Sequence, residues 1–304
     1  MGSSDEQMMF EFSSEEEDPL NVSVPEITVV PMDSINDNYI RFKNAARGIN
    51  SQVMFCLPKD GRTIADLLVA KVKTKELNSR NEAAVLREIH QKVSQEYKDH
   101  FPQVKEDKIE DRWLVMTAYN KSITIQELVD FCVGKKMEVP MDLLAVLLHR
   151  LAEIFEHLDK HDIKHGDIHG GNILLQIGEL NAFPPIRLID FELNSEYPNI
   201  SGLRTLMFRL EESHQSLPEL SSHWKSFQTS LKGWKHNHTG YTVVKEALEQ
   251  LIKDTGANKS TLSKETRELL EKIADWKCKT NMWVTEEDIQ KLIGNARSSD
   301  EIGT

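Results

Sequence analysis

Residues 164–175 read Lys-His-Gly-Asp-Ile-His-Gly-Gly-Asn-Ile-Leu-Leu, or KHGDIHGGNILL. Two histidines, an aspartate, an asparagine and three glycines stand directly before an apolar run. Three kinds of chemistry use such residues: a metal centre, a glycine-rich phosphate loop, and a catalytic loop that sets one carboxylate and one amide at fixed separation. A metal centre would draw on His165 and His169, four apart, with Asp167 close by. Zinc sites normally take three or four ligands, and Gly166, Gly170 and Gly171 argue against the helix that would align the two rings. His236 and His238 are too isolated to count, and solvated loop histidines are the simpler reading. A Walker-type phosphate loop needs Gly-x-x-x-x-Gly-Lys-Ser/Thr between a strand and a helix. GDIHGGNI has no Lys-Ser/Thr after its glycines and precedes ILLQI, which reads as a strand. The catalytic loop is the reading that survives.

The flanks give the loop a setting. Before it, MDLLAVLLHRLAEIFEHLDKH (141–161) follows Pro140 and is apolar on most sides, the pattern of a helix buried in a core. After it, IRLIDFE (186–192) is an apolar strand running into Asp190-Phe191, and a carboxylate in that position needs a partner or a metal. Further upstream, QVMFCL (52–57) and LLVAKV (67–72) flank the turn-forming PKDGR (58–62), as in a hairpin with a longer loop. A helix is expected over 76–93, where Ala83, Ala84, Leu86, Ile89 and Val93 recur on one side, and RWLVMTAY (112–119) reads as a buried strand. Beyond 119 the pattern turns helical, with helices expected near 202–213, 217–232, 241–255, 262–278 and 285–294. Gly256 reads as a helix stop, and Thr285-Glu286-Glu287-Asp288 as a capping start. Strands first and helices afterwards predict a two-lobed α+β fold.

Charge is unevenly spread. The net charge is −12, yet residues 1–40 hold ten acidic residues and no Lys or Arg, so the rest of the chain is nearly neutral. No basic surplus points to nucleic acid. Residues 1–40 are expected to be an acidic disordered tail, because FSSEEEDPLNVSVPEITVVP buries too little apolar surface to offset its ordering entropy. The expected lobes span 41–118 and 119–297, with 298–304 a flexible end. No apolar stretch reaches membrane-spanning length, MGSSDEQMMF lacks the pattern of a secretion signal, and Cys56, Cys132 and Cys278 are far apart. The expectation is a reduced intracellular protein, cytoplasmic or nuclear, with no membrane insertion.

With these segments in order, the chain resembles the protein-kinase-like superfamily. His165, Asp167 and Asn172 fit its His-x-Asp-x-x-x-x-Asn catalytic loop, and Asp190-Phe191, eighteen residues after Asn172, resembles the metal-binding Asp-Phe-Gly motif. Lys71 stands where the superfamily has its nucleotide-clamping lysine. Glu82 is the expected partner on the next helix, preferred over Glu88 because Leu86 follows it at +4. The resemblance covers about 41 to 230. It implies ATP and Mg²⁺ as cofactors and a hydroxyl-bearing acceptor, either a small molecule or a protein Ser/Thr. Lys71 would contact the α- and β-phosphates, Asn172 and Asp190 would hold metal, and Asp167 would accept or orient the hydroxyl proton. Gly48, Val53 and Met116 would border the nucleotide. His165 would pack the loop against the Asp190 turn. For His169, a phosphate contact and a loop-stabilising hydrogen bond are equally open.

The pattern also departs from protein kinases. ARGINSQVMF (46–55) offers Gly48 alone, Glu192 replaces the glycine of Asp-Phe-Gly, and no Ala-Pro-Glu motif follows the short NSEYPNISG stretch. Gly166 stands where an arginine would read activation-loop phosphate. His-Gly-Asp loops are similar to those of aminoglycoside phosphotransferases and choline kinases. The reading is an ATP- and Mg²⁺-dependent phosphotransferase of kinase-like fold; the alternative is a pseudokinase that binds nucleotide or a partner without chemistry. Trp224, Trp234, Trp276 and Trp283 are expected in the core of the larger lobe or around an acceptor pocket.

Overall fold

A computed structural model of the chain describes residues 33–47, 51–73, 81–108, 112–178, 180, 182–191, 198–212, 222–232, 239–280 and 282–302. Gly48, Glu192, Trp234, His236, His238 and the acidic stretch before residue 33 lie outside the described residues.

The first lobe is a five-stranded antiparallel sheet built from β1 (Tyr39–Arg47), β2 (Ser51–Pro58), β3 (Leu68–Lys73), β4 (Val104–Lys108) and β5 (Trp113–Thr117), in the order β1-β2-β3-β5-β4. Strand alternation sends Ala70 and Val72 to one face, where they join Met54, Cys56, Trp113 and Val115. Val69 and Lys71 therefore face the other way, toward the cleft. The register sets Lys71 opposite Val53 on β2 and Leu114 on β5. Helix α2 (Glu82–Lys92) starts where Asn81 caps it, its side chain accepting the Ala84 N–H at 3.2 Å, and it buries Ala83, Val85, Leu86 and Ile89. A four-residue turn of helix, α3 (Gln95–Lys98), leads from α2 to β4.

The ordered fold begins earlier than composition predicts. Residues 33–40 are part of this lobe, not of the acidic tail: a short helix α1 (Asp33–Asn36) precedes β1. Ile35 is fully buried against the outer sheet face, and Tyr39 meets Trp113 edge-on and donates to Glu106 at 2.9 Å. Two large apolar side chains anchor the segment, although its average composition is that of a tail.

The second lobe is mainly helical. A small antiparallel sheet, β6 (Ser122–Thr124), β7 (Ile173–Gln176) and β8 (Ile186–Leu188), lies beneath the cleft. Helix α4 (Ile125–Lys135) begins with a capping box between Thr124 and Glu127. Helix α5 (Met141–Lys160) runs through the core with Leu144, Leu147, Leu148, Leu151 and Phe155 fully buried. Helices α6 (Ile200–Glu212), α7 (Ser222–Lys232), α8 (Thr239–Asp254) and α9 (Lys264–Lys279) complete the lobe, with Gly256 in the left-handed region (φ +65°) just past α8.

The last helix corrects the expected division at 119–297 and the flexible end after it. Helix α10 (Glu286–Ile302) continues through residue 298, and it packs on the first lobe, not the second. Val284, Ile289 and Ile293 form one apolar cluster with Phe55, Leu57 and Leu67. An amphipathic helix docks wherever its stripe finds an apolar partner, and periodicity alone does not say which lobe that is. Among the described residues, no helix is long and apolar enough to cross a membrane.

Candidate active site

A cavity of about 490 Å³ separates the lobes. Its ceiling carries Val53, Val69 and Met116, its floor Leu174 and Ile189, so a flat apolar group fits between them. At its inner end the Lys71 ammonium lies 2.8 Å from Glu82 Oε2 and 2.8 Å from Asp190 Oδ1. These residues come from a strand, a helix start and a loop, and the last is 119 positions from the first. Lys71 and Glu82 are 4% and 2% exposed. Two buried opposite charges of this kind persist only when paired and hydrogen-bonded. Glu82 also accepts the Phe191 N–H on Oε1 at 3.3 Å, and it sits in the first turn of α2, where the helix dipole favours an anion. Glu88 points elsewhere, to Lys92 at 2.7 Å on the surface.

Asp190 adopts φ +71°, left-handed backbone that is uncommon for a residue with a side chain and clusters at functional sites. What holds it there is visible on both sides. The Ile189 N–H donates to Asn172 O at 3.1 Å, and Phe191 is fully buried, 4.3 Å from the His165 ring and edge-on to Phe101. His165 in turn has Nε2 2.9 Å from Ile189 O, while Nδ1 accepts the Asp167 N–H at 3.3 Å. A carbonyl can only accept and an amide N–H only donate, so the ring is the neutral Nε2–H tautomer. Burial pushes its pKa down to about 4, which agrees.

The catalytic-loop stretch turns at Gly166 (φ +89°), a conformation that side chains resist. Asn172 Nδ2 donates to Asp167 O at 2.9 Å and to its Oδ2 at 3.3 Å, which leaves the Asn172 amide oxygen for another partner. His169 accepts the Gly171 N–H on Nδ1 at 3.0 Å and sets Nε2 3.5 Å from Asp167 Oδ2. It thus stabilises the loop while standing at the cleft edge. Asp167, Asn172 and Asp190 are oxygen donors of the hard type that Mg²⁺ prefers. Among the described residues no group of three or more His, Cys, Asp or Glu is arranged to hold a metal, so a cation here would need ligand oxygens as well as Asn172 and Asp190.

Several supporting residues escaped the sequence reading. Asn199 is 2% exposed, accepts the His165 N–H at 2.8 Å and donates to Ile163 O at 2.7 Å and Asp159 Oδ1 at 2.8 Å, fixing the entry to the loop. Tyr241 donates to the other Asp159 oxygen at 2.5 Å, and burial beside that carboxylate pushes its phenol pKa up. No local signal marks Asn199; only its place within NSEYPNISG, just before α6, was readable. Trp283 belongs to the buried core cluster of the larger lobe, as expected, and it also lines the cleft, as do Met282 and Lys277.

A lysine held between a glutamate and an aspartate under a sheet, with a His-x-Asp loop beside them, is the arrangement on which the family match falls. The ABC1 atypical kinase-like domain matches residues 44–209, more than half of the chain. The chain belongs to the ABC1 atypical kinase-like family. The match takes in Lys71, Glu82, Asp167, Asn172 and Asp190, and it ends inside α6. A search of curated proteins finds no match to the chain. Membership in the ABC1 family makes the two-lobed fold that of an atypical kinase and makes the interlobe cavity its kinase-like cleft.

Proposed function

We propose that this ABC1-family chain is an ATP-dependent phosphotransferase that moves the γ-phosphoryl group to a hydroxyl. One observation carries the reading: Lys71 Nζ stands 2.8 Å from both Glu82 and Asp190, with Asn172 lining the same cavity and donating to Asp167 at its edge. Phosphoryl transfer asks the protein mainly for position and charge. Lys71, held by Glu82, is placed to take the α- and β-phosphates, while the apolar slot between Val53, Met116 and Leu174 takes the base. A divalent cation, when bound, would neutralise phosphate charge, and Asn172 Oδ1 and Asp190 are the residues that would hold it.

Asp167 is the group for the acceptor. In the step we infer, the acceptor hydroxyl oxygen bonds to the γ-phosphorus while the bond from phosphorus to the ADP oxygen breaks. The hydroxyl proton passes to the Asp167 carboxylate, leaving ADP and a phosphate ester. A second depression of about 310 Å³ opens on the far side of Asp167, lined by Asn199, Ser201 and Thr205. Its small polar walls favour a compact hydroxyl compound over an extended peptide. The test is turnover of labelled ATP by pure protein against a panel of small hydroxyl compounds and generic protein substrates. Activity lost in Asp167→Asn supports the reading. If wild type gives neither transfer nor autophosphorylation but ADP still raises its melting temperature, the chain is a nucleotide-binding pseudokinase.

A further inference from the structure

Part of the cleft wall comes from well beyond the family match. Helix α9 belongs to the large lobe and α10 packs on the small one, so the chain crosses between the lobes a second time, beside the segment 118–121 that joins β5 to β6. The crossing is fastened to that hinge. Asn120 Nδ2 donates to Val284 O at 2.8 Å, and its Oδ1 accepts the Val284 N–H at 3.1 Å. The Trp283 indole N–H donates to Ser122 O at 3.2 Å, and Lys43 on β1 donates to Trp283 O at 2.7 Å. Trp283 is therefore tied to both lobes at once.

Both Trp283 and Met282 line the cavity, the first 8% exposed and the second 45%. A methionine half in solvent beside a tryptophan makes an adaptable apolar wall. The wall stands at the hinge end, opposite Lys71 and Asp190, so it borders the base and sugar and not the phosphates. Phe55 connects the wall to the helix behind it, since its side chain lines the cavity and belongs to the cluster with Val284, Ile289 and Ile293. On the large-lobe side Lys277 Nζ, 2.5 Å from Glu127 Oε1, anchors the end of α9 at the cavity rim.

We propose that residues 282–293 form a C-terminal clasp on the nucleotide cleft, in which Trp283 and Met282 contact the base and sugar of the nucleotide and docking of α10 on the small lobe holds them there. This rests on the nucleotide reading above. Binding of nucleotide and docking of α10 are then coupled, and such coupling is reciprocal.

The test uses the full chain with Mg²⁺, measuring affinity for ADP and for inorganic tripolyphosphate in wild type, Trp283→Ala and Ile289→Asp, together with amide hydrogen exchange across 286–293. Trp283→Ala should weaken ADP by about tenfold and leave tripolyphosphate affinity unchanged, because the phosphates lie at the other end. A purely structural role for Trp283 would shift both ligands together, and that result overturns the proposal. Ile289→Asp should speed exchange in α10 and weaken ADP as well. ADP should slow α10 exchange in wild type, a measurement that needs no substitution and so stands even if Ile289→Asp does not fold. ADP that binds wild type but leaves α10 exchange unaltered sinks the clasp alone. A wild type that binds neither ligand sinks the nucleotide reading and the clasp with it.

Discussion

Two regions of the site are built differently. At one, Lys71 keeps 5% of its side chain in solvent and is held between two carboxylates; at the other, Asp167 and His169 keep 42% and 48% of theirs. Lys71 and Glu82 are dry and fixed before any ligand arrives, which is what charge stabilisation requires, since groups already oriented need no reorganisation, while Asp190 keeps 37% of its side chain in solvent. The Asp167 end must admit an acceptor and let a product leave, so it is supported from beneath, by His165 and Asn199, and left open above. Stiffness is concentrated where the ligand's charge is constant, and openness where the reaction partner changes.

The contrast is broken most directly at Lys71. Lys71→Met strands Glu82, a carboxylate 2% exposed, without its cation. Loss of one member of a buried pair costs about 3 kcal/mol, so urea denaturation should register a marked loss of stability in addition to loss of turnover. Lys71→Met with Glu82→Gln should recover part of that stability and none of the activity. If Lys71→Met is as stable as wild type, the pair is not the rigid element described here.

Asp167→Asn probes the open end. Removing the proton acceptor should lower turnover by about 10²- to 10⁴-fold, while ADP affinity and the urea midpoint hold near wild type, because the carboxylate is half exposed and carries little of the fold. A large stability loss in this variant would erase the difference between the two ends.

Between the ends lies His165. Its folded pKa of about 4 is below the ordinary 6.5 because burial opposes the charge. Between those values the unfolded chain binds the proton and the folded chain does not, so stability is full above about pH 6.5 and falls as the pH drops toward 4. The drop should be measurable by denaturation across that range, and His165→Gln should flatten it.

Lys71 and Asp190 were legible in the sequence because each interrupts or follows an apolar run, and a charge in such a place needs a partner. Asp167 was legible by its spacing from His165 and Asn172. Glu82 was harder, since Glu88 shares its helix, and a preferred spacing decided between them. Helix starts were legible where the caps are local, as at Thr285, whose hydroxyl accepts the Asp288 N–H at 3.1 Å. What stayed hidden depends on partners far away in the chain. Strand β4, VKEDK, is a charged sheet edge and has no apolar alternation to betray it. Asn199 matters through His165 and Asp159, and Trp283 through Ser122 and Lys43, none of them near in sequence. The docking of α10 on the small lobe belongs to the same class. Its apolar stripe was readable, but its destination was set by Phe55 and Leu57, more than two hundred positions earlier.

The smallest expected effect is at His169, and it sharpens the comparison because this residue belongs to the open end by position and to the scaffold by bonding. Its Nδ1 caps the short turn 170–172 by accepting the Gly171 N–H at 3.0 Å, so the neutral ring carries its proton on Nε2, 3.5 Å from Asp167 Oδ2. His169→Asn keeps a side-chain acceptor for the cap and removes the ring from Asp167. Stability should then change by less than about 0.5 kcal/mol. Turnover should fall by about fivefold at most, the size of one exposed polar contact. A fall as deep as that of Asp167→Asn would mean that the imidazole itself touches the reacting phosphate. The open end would then hold two catalytic groups over the acceptor, and the loop bond to Gly171 would serve to aim the ring.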